Sequence, residues 1–213
     1  MTKSTKIIAA LGVAAGLGIA ALPAGSIFAT DLIPFDYTTA TSADKDVTVK
    51  LTVSESIAIA TEGDECDAGK VTVKSTASCT QKIAGGTNAK YGFTLSVKDK
   101  DSDTSLNLDG TTTAVSNDEI EAVAGTLGGS ASWVSGWNLT GGALNQAAIS
   151  ATEQTVMKTS AAKDAQISMV YNVATKPNQT VGNYSDVITY TIAKNNSAVA
   201  TEEGMSGATV VNN

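Results

Sequence analysis

Three aspartates stand at alternate positions in the stretch Asp99-Lys100-Asp101-Ser102-Asp103. Calcium takes oxygen ligands, and several carboxylates at this spacing can wrap one such hard cation, as at the opening of a calcium-binding loop. Asp99, Asp101 and Asp103 are therefore candidate metal ligands, and calcium is the one cofactor for which the sequence offers a site.

The residues that follow depart from the EF-hand pattern. Thr104 stands where that loop needs a glycine for its sharp turn, and Gly110 stands where a bidentate acid is due. Asn107 and Asp109 have oxygens that could complete a site of another shape. The alternative interpretation is a solvated acidic turn that follows a strand and holds no metal.

The only two tryptophans, Trp133 and Trp137, are four residues apart. In a strand this spacing places both side chains on one face. If that face is exposed, the two indoles form an aromatic platform for a glycan or for an apolar patch of a partner. If it is buried, they supply core volume to a domain of a chain that has only three phenylalanines. Trp133 and Trp137 are thus candidate ligand-binding residues, with a place in the core as the alternative.

Cys66 and Cys79 are the only cysteines. In an exported protein an isolated pair of this kind predicts a disulfide. The chain-entropy model assigns about 3 kcal/mol to a bridge that closes so short a loop. Between the two cysteines, residues 71–73 alternate and predict one short strand. A redox pair is disfavoured because it needs closer spacing, such as C-x-x-C.

The residue types that the chain lacks exclude most kinds of catalysis. It has no histidine, so the commonest general base, the commonest zinc ligand and every Ser-His or Cys-His nucleophile arrangement are missing. Catalysis by carboxylates alone stays open, as in glycoside hydrolysis, where two acids flank the scissile bond. Such sites usually carry aromatic platforms, and aromatic residues make up only 5% of this chain. We therefore expect a protein that is not an enzyme.

The first 29 residues predict export. Lys3 and Lys6 precede an uncharged run rich in Ala, Leu, Ile and Gly, and Ala29 ends a small-residue cleavage site before Thr30. We interpret residues 1–29 as a signal peptide. An uncleaved anchor is the alternative, because the run is almost long enough to span a bilayer. After cleavage we expect no membrane insertion and a protein that is secreted or held at the cell surface.

The chain that follows the leader is acidic. All 14 basic residues are lysines and two leave with the leader, so 12 lysines remain against 21 acids, a formal charge of −9. Without arginine the chain lacks the guanidinium group, which donates paired hydrogen bonds to phosphate and to guanine. Nucleic acid is therefore not an expected partner, whereas a cell-wall polymer or another surface protein is.

The body of the chain is patterned for strands. Apolar and polar residues alternate over residues 47–53, 57–59, 91–97, 167–173 and 187–192. A period of two is typical of half-buried strands, and two such faces hide their apolar sides from water by packing together. The pattern predicts an all-β fold, a single Ig-like β-sandwich over residues 44–194.

Other segments interrupt or flank this domain. An irregular central insertion spans residues 109–160, in which an N-terminal asparagine, acids in the first turn and a final glycine predict a short helix over residues 117–125. A further strand is predicted over residues 133–139. Residues 30–43 are expected to be extended or disordered, and residues 195–213 to form a flexible tail, because both are polar and lie outside the alternating runs.

Two stretches of the chain resemble a known family. Residues 90–97, Lys-Tyr-Gly-Phe-Thr-Leu-Ser-Val, resemble the first strand of WxL-type domains, which are found on surface proteins of bacterial cell walls. Residues 182–192 follow Lys176-Pro177 and resemble the closing strand of that family, where a Gly-x-Tyr turn leads into an alternating strand. The resemblance implies a WxL-like sandwich that attaches non-covalently to the cell wall.

The motif residues themselves are substituted in this chain. Phe93 and Tyr190 stand where the family has Trp, Ile192 stands where it has Leu, and the literal Trp-x-Leu lies at residues 137–139. The relationship implied is that of a divergent relative. The expected function is that of an exported, non-enzymatic structural or adhesion protein. The alternative is a carbohydrate-binding module, with calcium as a possible helper.

Overall fold

The computed structural model describes residues 48–109 and 116–212, with side chains as far as residue 210. Residues from Thr52 onwards form one compact unit. Residues 48–51 belong to a separate unit, the rest of which lies outside the described residues. The predicted signal peptide, residues 1–29, and the segment 30–43 also fall outside the described part.

Secondary structure in the described ranges consists of strands, so the all-β prediction is confirmed. None of the described residues lies in a helix long and apolar enough to cross a membrane. The strands are β1 (Ile57–Thr61), β2 (Thr76–Thr87), β3 (Phe93–Asp99), β4 (Leu106–Leu108), β5 (Glu119–Ile120), β6 (Gly136–Gly141), β7 (Leu144–Ala147), β8 (Gln154–Lys158), β9 (Lys163–Ala174), β10 (Tyr184–Ser185), β11 (Ile188–Lys194) and β12 (Thr209–Asn212).

The strands form three antiparallel sheets. The largest has the order β1-β2-β9-β6-β7, with β12 also paired to β9. A second sheet has the order β11-β3-β8, and a third, small one has the order β10-β4-β5. The two longest strands, β2 and β9, pair along their whole length, from Thr76 opposite Ala174 to Thr87 opposite Lys163. This ladder is the frame on which the rest of the large sheet is built.

The hydrophobic core lies between the large sheet and the β11-β3-β8 sheet, which gives the domain a sandwich-like arrangement. Alternate residues of β9, from Ala165 to Tyr171, are buried, as the period of two predicts. Ile83 of β2 and Leu139 of β6 belong to the same cluster as Phe93 of β3. Full burial of one such side chain contributes about 1.5–3 kcal/mol, so this interface is the main source of stability.

The helix predicted over residues 117–125 is wrong. A turn leads into the two-residue strand β5, and Ile120 is only 2% exposed because it packs in the core. The Val123 amide donates to the Trp137 carbonyl, and the Trp137 amide donates to the Glu121 carbonyl. A helix of nine residues is marginal by itself, and pairing of this backbone with β6 is the better alternative.

The strand predicted over residues 47–53 is also wrong for the part that the structure describes. Residues 48–53 belong to no strand, and Val49, Leu51 and Val53 are 89%, 87% and 74% exposed. Val47 lies outside the described residues. A period of two suits a strand with one apolar face, but a strand forms only where another backbone offers an edge.

The short strand predicted over residues 71–73 is absent as well. Val71 and Val73 are 41% and 50% exposed, and a turn forms at Val73 and Lys74. Lys74 has a φ of 53°, which no extended strand residue adopts.

The segment 195–213, for which a flexible tail is predicted, contains the strand β12. β12 pairs with the first residues of β9, so the domain continues beyond residue 194. The Asn195 side-chain amide donates to the carbonyls of Tyr91 and Thr159 at 2.9 and 2.8 Å. Individual polar contacts and one short strand hold this segment, and neither produces a long periodic signal in the sequence.

Candidate functional site

The aspartates of the 99–103 stretch shape a chain of tight turns at the end of β3. Asp99 Oδ1 accepts a hydrogen bond from the Asp101 amide at 2.9 Å, and Asp101 Oδ1 accepts one from the Asp103 amide at 2.8 Å. Asp103 Oδ1 accepts one from the Ser105 amide at 3.2 Å. Each side chain thus forms an Asx turn with the residue two positions on. These turns leave the second carboxylate oxygens of Asp99 and Asp101 unused.

Asp99 differs from the other two aspartates in its burial. It is 1% exposed, whereas Asp101 is exposed and Asp103 is half-buried. Asp99 Oδ2 has no hydrogen-bond partner among the described residues. An ionised carboxylate without a partner is costly to bury, so a proton or a positive charge must compensate it.

Asp186 is the residue that the fold brings to Asp99. The antiparallel pairing of β3 with β11 sets Ile188 opposite Asp99, and Asp186 precedes Ile188 by two residues. The two carboxyls are in hydrogen-bond contact, and Asp186 Oδ2 is likewise buried without a donor. Burial, and then the contact with Asp99, raise the pKa of Asp186 to about 7, against the opposing effect of the Val187 amide that donates to it.

Asn107 lies at the same end of the sheets. The pairing of β10 with β4 sets it opposite Ser185, the residue before Asp186. Its Nδ2 donates to Asp103 Oδ2 and to the Ser105 carbonyl, both at 3.1 Å, while its Oδ1 is buried without a donor. In the described ranges no three His, Cys, Asp or Glu side chains already meet as a metal site. The oxygens without donors here come from two carboxyls and one amide.

The two tryptophans do not share an exposed face. Trp137 is 3% exposed in the core, and its Nε1 donates to the Thr104 carbonyl at 2.9 Å. Trp133 lies before β6, is half-buried, and donates through Nε1 to the Thr175 carbonyl at 2.8 Å. The condition for a two-indole platform is therefore not met, and Trp137 takes the alternative place in the core.

The predicted disulfide is confirmed. Cys66 and Cys79 are bonded, with their Cα atoms 5.8 Å apart. The bridge fastens the loop before β2 to β2 itself, and both half-cystines pack against the core cluster. A disulfide is typical of oxidising compartments, which agrees with export.

Two surface recesses have room for a ligand but little chemistry. One of about 320 Å³ is lined by amides and hydroxyls, among them Asn138 and Asn172. The other, of about 590 Å³, is bordered by Lys158 and by Glu203, its single acid. A carboxylate-only hydrolase needs two acids that flank an accessible bond. Neither recess supplies them.

At one edge of the sandwich, β1 and β11 are the outermost strands of the two facing sheets, and they lie next to each other without pairing. Ile188, Tyr190 and Ile192 lie on the core face of β11 but remain partly exposed. Ile57 and Ile59 lie opposite buried residues of β2, yet they are 42% and 40% exposed. We call these five side chains the open edge. These side chains lie on the core-facing sides of their strands, yet each keeps part of its surface exposed to water.

Polar contacts join β11 to its surroundings at and beyond the open edge. The hydroxyls of Tyr171 and Tyr190 are 2.8 Å apart, and Tyr171 donates to Gln81 Oε1 at 3.3 Å. Burial raises the pKa of both phenols, so they stay neutral. An ion pair between Lys194 and Glu55 joins the end of β11 to the residues before β1.

Residues 48–53, which we call the 48–53 segment, precede this edge in the chain. The Asn88 side chain accepts a hydrogen bond from the Ser56 amide at 2.6 Å and donates one to the Ser54 carbonyl at 2.9 Å. The chain is therefore held to the domain just before β1. Upstream of that anchor, the apolar side chains at positions 49, 51 and 53 are exposed to water.

Asp186 is the residue of this region that sequence reasoning missed. A signal for it exists: Asp186 comes just before the last alternating run, and Asp99 comes just after an earlier one. Antiparallel pairing brings the end of one strand to the start of its neighbour. Of the other oxygens considered, Asn107 lies nearby, and Asp109 is exposed at the end of β4, where its amide donates to the Asn183 carbonyl at 2.6 Å.

Comparison of the chain with protein-family models and with curated proteins finds no match.

Proposed function

We propose that the protein is an exported, non-enzymatic structural or adhesive protein of the bacterial cell surface, whose copies join by strand addition. One observation carries this proposal. The same chain has an exposed segment patterned as a strand, residues 48–53, and an edge strand, β11, whose outer side pairs with no strand in the described part of the chain. An Ig-like or WxL-like sandwich is the finer fold assignment that we propose with it.

The chemistry of sheet edges supports strand addition. β11 is the last strand of its sheet, so its outer side has no strand partner in the described part of the chain. Such an edge is a template for an added strand. Main-chain hydrogen bonds to the edge strand give affinity, and every second side chain of the added strand packs into the acceptor domain. Val49, Leu51 and Val53 have the spacing to cover the core-facing side chains of β11.

The magnitudes indicate how sensitive this contact is. Full burial of one Val or Leu side chain contributes about 1.5–3 kcal/mol, so the three of the 48–53 segment contribute roughly 5–9 kcal/mol. Loss of translational and rotational freedom on association costs about 4–15 kcal/mol. The free energy gained by burial and the free energy lost on association are of similar size, so assembly depends on every apolar side chain and on the backbone hydrogen bonds. A charge on the apolar face of the segment is expected to prevent it.

A second copy of the chain is the occupant that the observations favour. Each copy carries both the donor segment and the acceptor edge, and in its own copy the segment leaves Val49 and Leu51 uncovered. A donor on one surface and an acceptor on another make a head-to-tail contact, which repeats into an open filament unless the rotation closes a ring. This geometry suits a structural protein of the cell surface.

The first test compares two double variants of the purified exported chain. Val49→Asp with Leu51→Asp places charges on the apolar face, and Thr48→Asp with Thr52→Asp places the same number of charges on the polar face. We expect the unaltered chain and the polar-face variant to form concentration-dependent oligomers in sedimentation velocity, and the apolar-face variant to stay monomeric. A monomeric unaltered chain, or equal assembly of both variants, would refute strand addition.

The second test locates the acceptor edge. Chains with Lys50→Cys are mixed with chains that carry either Thr189→Cys on β11 or Thr155→Cys on β8, the opposite edge of the same sheet. We expect an intermolecular disulfide with Thr189→Cys and little with Thr155→Cys, since a bridge needs Cα atoms within about 7 Å. The reverse preference would place the added strand on β8 and contradict the proposed edge.

Attachment to a cell-wall polymer is the further step that the WxL resemblance supports. An acidic chain is not held to anionic polymers by charge, so apolar and hydrogen-bonded contacts must carry retention. Washing of expressing cells is therefore expected to release little protein with high salt and most of it with denaturant. Full recovery of the protein in untreated culture medium would show secretion without attachment.

A further inference from the structure

Three buried oxygens without hydrogen-bond donors lie where β3 ends and β11 begins: Asp99 Oδ2, Asp186 Oδ2 and Asn107 Oδ1. Asp99 is 1% exposed and Asn107 is 6% exposed, so water does not reach these atoms from outside. Buried polar atoms in folded proteins nearly always have partners. Asp99 and Asp186 are in contact, and Asn107 lies opposite the residue before Asp186. This arrangement of acceptors indicates a ligand that offers positive charge rather than one hydrogen-bond donor.

The surrounding residues supply no such charge. None of the ion pairs in the described ranges involves Asp99 or Asp186. The exposed Asp101 adds a further negative charge that acts on Asp186. Two contacting carboxyls can share a proton, or they can coordinate a cation that neutralises both. A cation can in addition take the Asn107 oxygen as a ligand, so that one ligand satisfies all three acceptors.

We propose that Asp99, Asp186 and Asn107 bind a hard divalent cation, calcium in the first place, which joins the end of β3 to the start of β11. Carboxylate and amide oxygens are the ligands that calcium prefers, and its variable coordination number lets water complete the shell. The 99–103 stretch thereby contributes its first aspartate to the site, while Asp101 and Asp103 shape the loop around it. This site is independent of strand addition.

The test is a calcium titration of the purified chain at pH 8, with its disulfide intact and with metal removed by chelator. We expect binding heat with one site per chain and a Kd near 10⁻⁴–10⁻³ M, as in extracellular modules. At a calcium concentration ten times Kd, the melting temperature should rise by about 3–5 °C. Absence of both heat and a thermal shift at about 10 mM calcium overturns the proposal and leaves the pair holding a proton.

Two variants with the same change of charge separate the site from general screening. Asp186→Asn should abolish the calcium shift, and without calcium it should melt no lower than the unaltered chain because it removes the carboxyl repulsion. Asp64→Asn, at an exposed acid elsewhere, should keep the full shift. An equal calcium shift in all three chains means non-specific binding and refutes the site. If Asp186→Asn does not fold, Asp99→Asn and the titration of the unaltered chain give the same decision.

Discussion

Glu202 fastens the C-terminal segment to the start of β9 through one carboxylate. Its Oε1 accepts hydrogen bonds from the Ser160 amide at 2.9 Å, from the Ser160 hydroxyl at 2.8 Å and from Lys163 Nζ at 2.6 Å. The contact with Lys163 is the largest cause that lowers the pKa of Glu202 to about 2. Because the pKa is lowered, the ionised carboxylate stabilises the folded chain.

Replacement of this carboxylate gives a stability difference that depends on pH. Glu202→Gln should lower the free energy of unfolding by about 1–2 kcal/mol at pH 7. The ordinary pKa of this carboxyl is 4.5, so its contribution is fully present above about pH 4.5 and is lost as the pH falls towards 2. The difference in melting temperature between the unaltered chain and Glu202→Gln should therefore be larger at pH 7 than at pH 3. The exposed neighbour Glu203 provides the control, since Glu203→Gln should have little effect at either pH. A difference in melting temperature between Glu202→Gln and the unaltered chain that does not change with pH would contradict the role of Glu202.

At the scale of elements, β2 shows why a long strand can escape prediction. Its sequence contains Gly85 and Gly86, which weaken strand propensity. Yet a Cβ at Gly85 would lie 2.8 Å from Ile192 Cδ1 and 2.9 Å from Phe93 Cε2. The glycine that weakens the strand signal is therefore what lets the two sheets approach each other.

The connection between β2 and β3 depends on another glycine. Gly92 has a φ of 73°, and a Cβ there would lie 2.3 Å from Thr159 Oγ1 and 2.6 Å from the Thr159 carbonyl oxygen. Gly92→Ala should therefore cost about 2–4 kcal/mol, the sum of left-handed backbone strain and overpacking. Gly69 has a φ of 78° with nothing within 4 Å, so Gly69→Ala isolates the strain and should cost about 1–2 kcal/mol. Urea unfolding measures both, and equal losses would show that the contact with Thr159 does not matter.

At the scale of the whole molecule, the disulfide is an addition to a domain whose strands already pair into sheets. The bridge closes a loop with a sequence separation of 13 residues. Joint replacement of Cys66 and Cys79 by Ser should lower the free energy of unfolding by about 3 kcal/mol, because the unfolded chain gains freedom. Far-UV circular dichroism should keep its strand signal, since the backbone pairing of β2 with β9 extends over twelve residues and Cys79 is only one of them. Reduction of the unaltered chain should reproduce the loss in urea unfolding, and an unchanged midpoint would show that the bridge contributes nothing.

Several features of this protein follow from the sequence alone. The alternating runs 91–97, 167–173 and 187–192 correspond to β3, β9 and β11, because a period of two decides which side chains share a face of a strand. The disulfide follows because the chain has only two cysteines. The lack of histidine removes whole classes of catalysis before any fold is known. All of these are local or compositional properties.

The tertiary structure decided the rest. It placed Asp186 beside Asp99, buried Trp137, drew residues 119–120 into a strand rather than a helix, and left the apolar side chains of the 48–53 segment exposed. Each outcome depends on which distant backbone offers hydrogen bonds and which surface is already covered. Periodicity reports what a segment can bury, but only the packed molecule determines what it lies against.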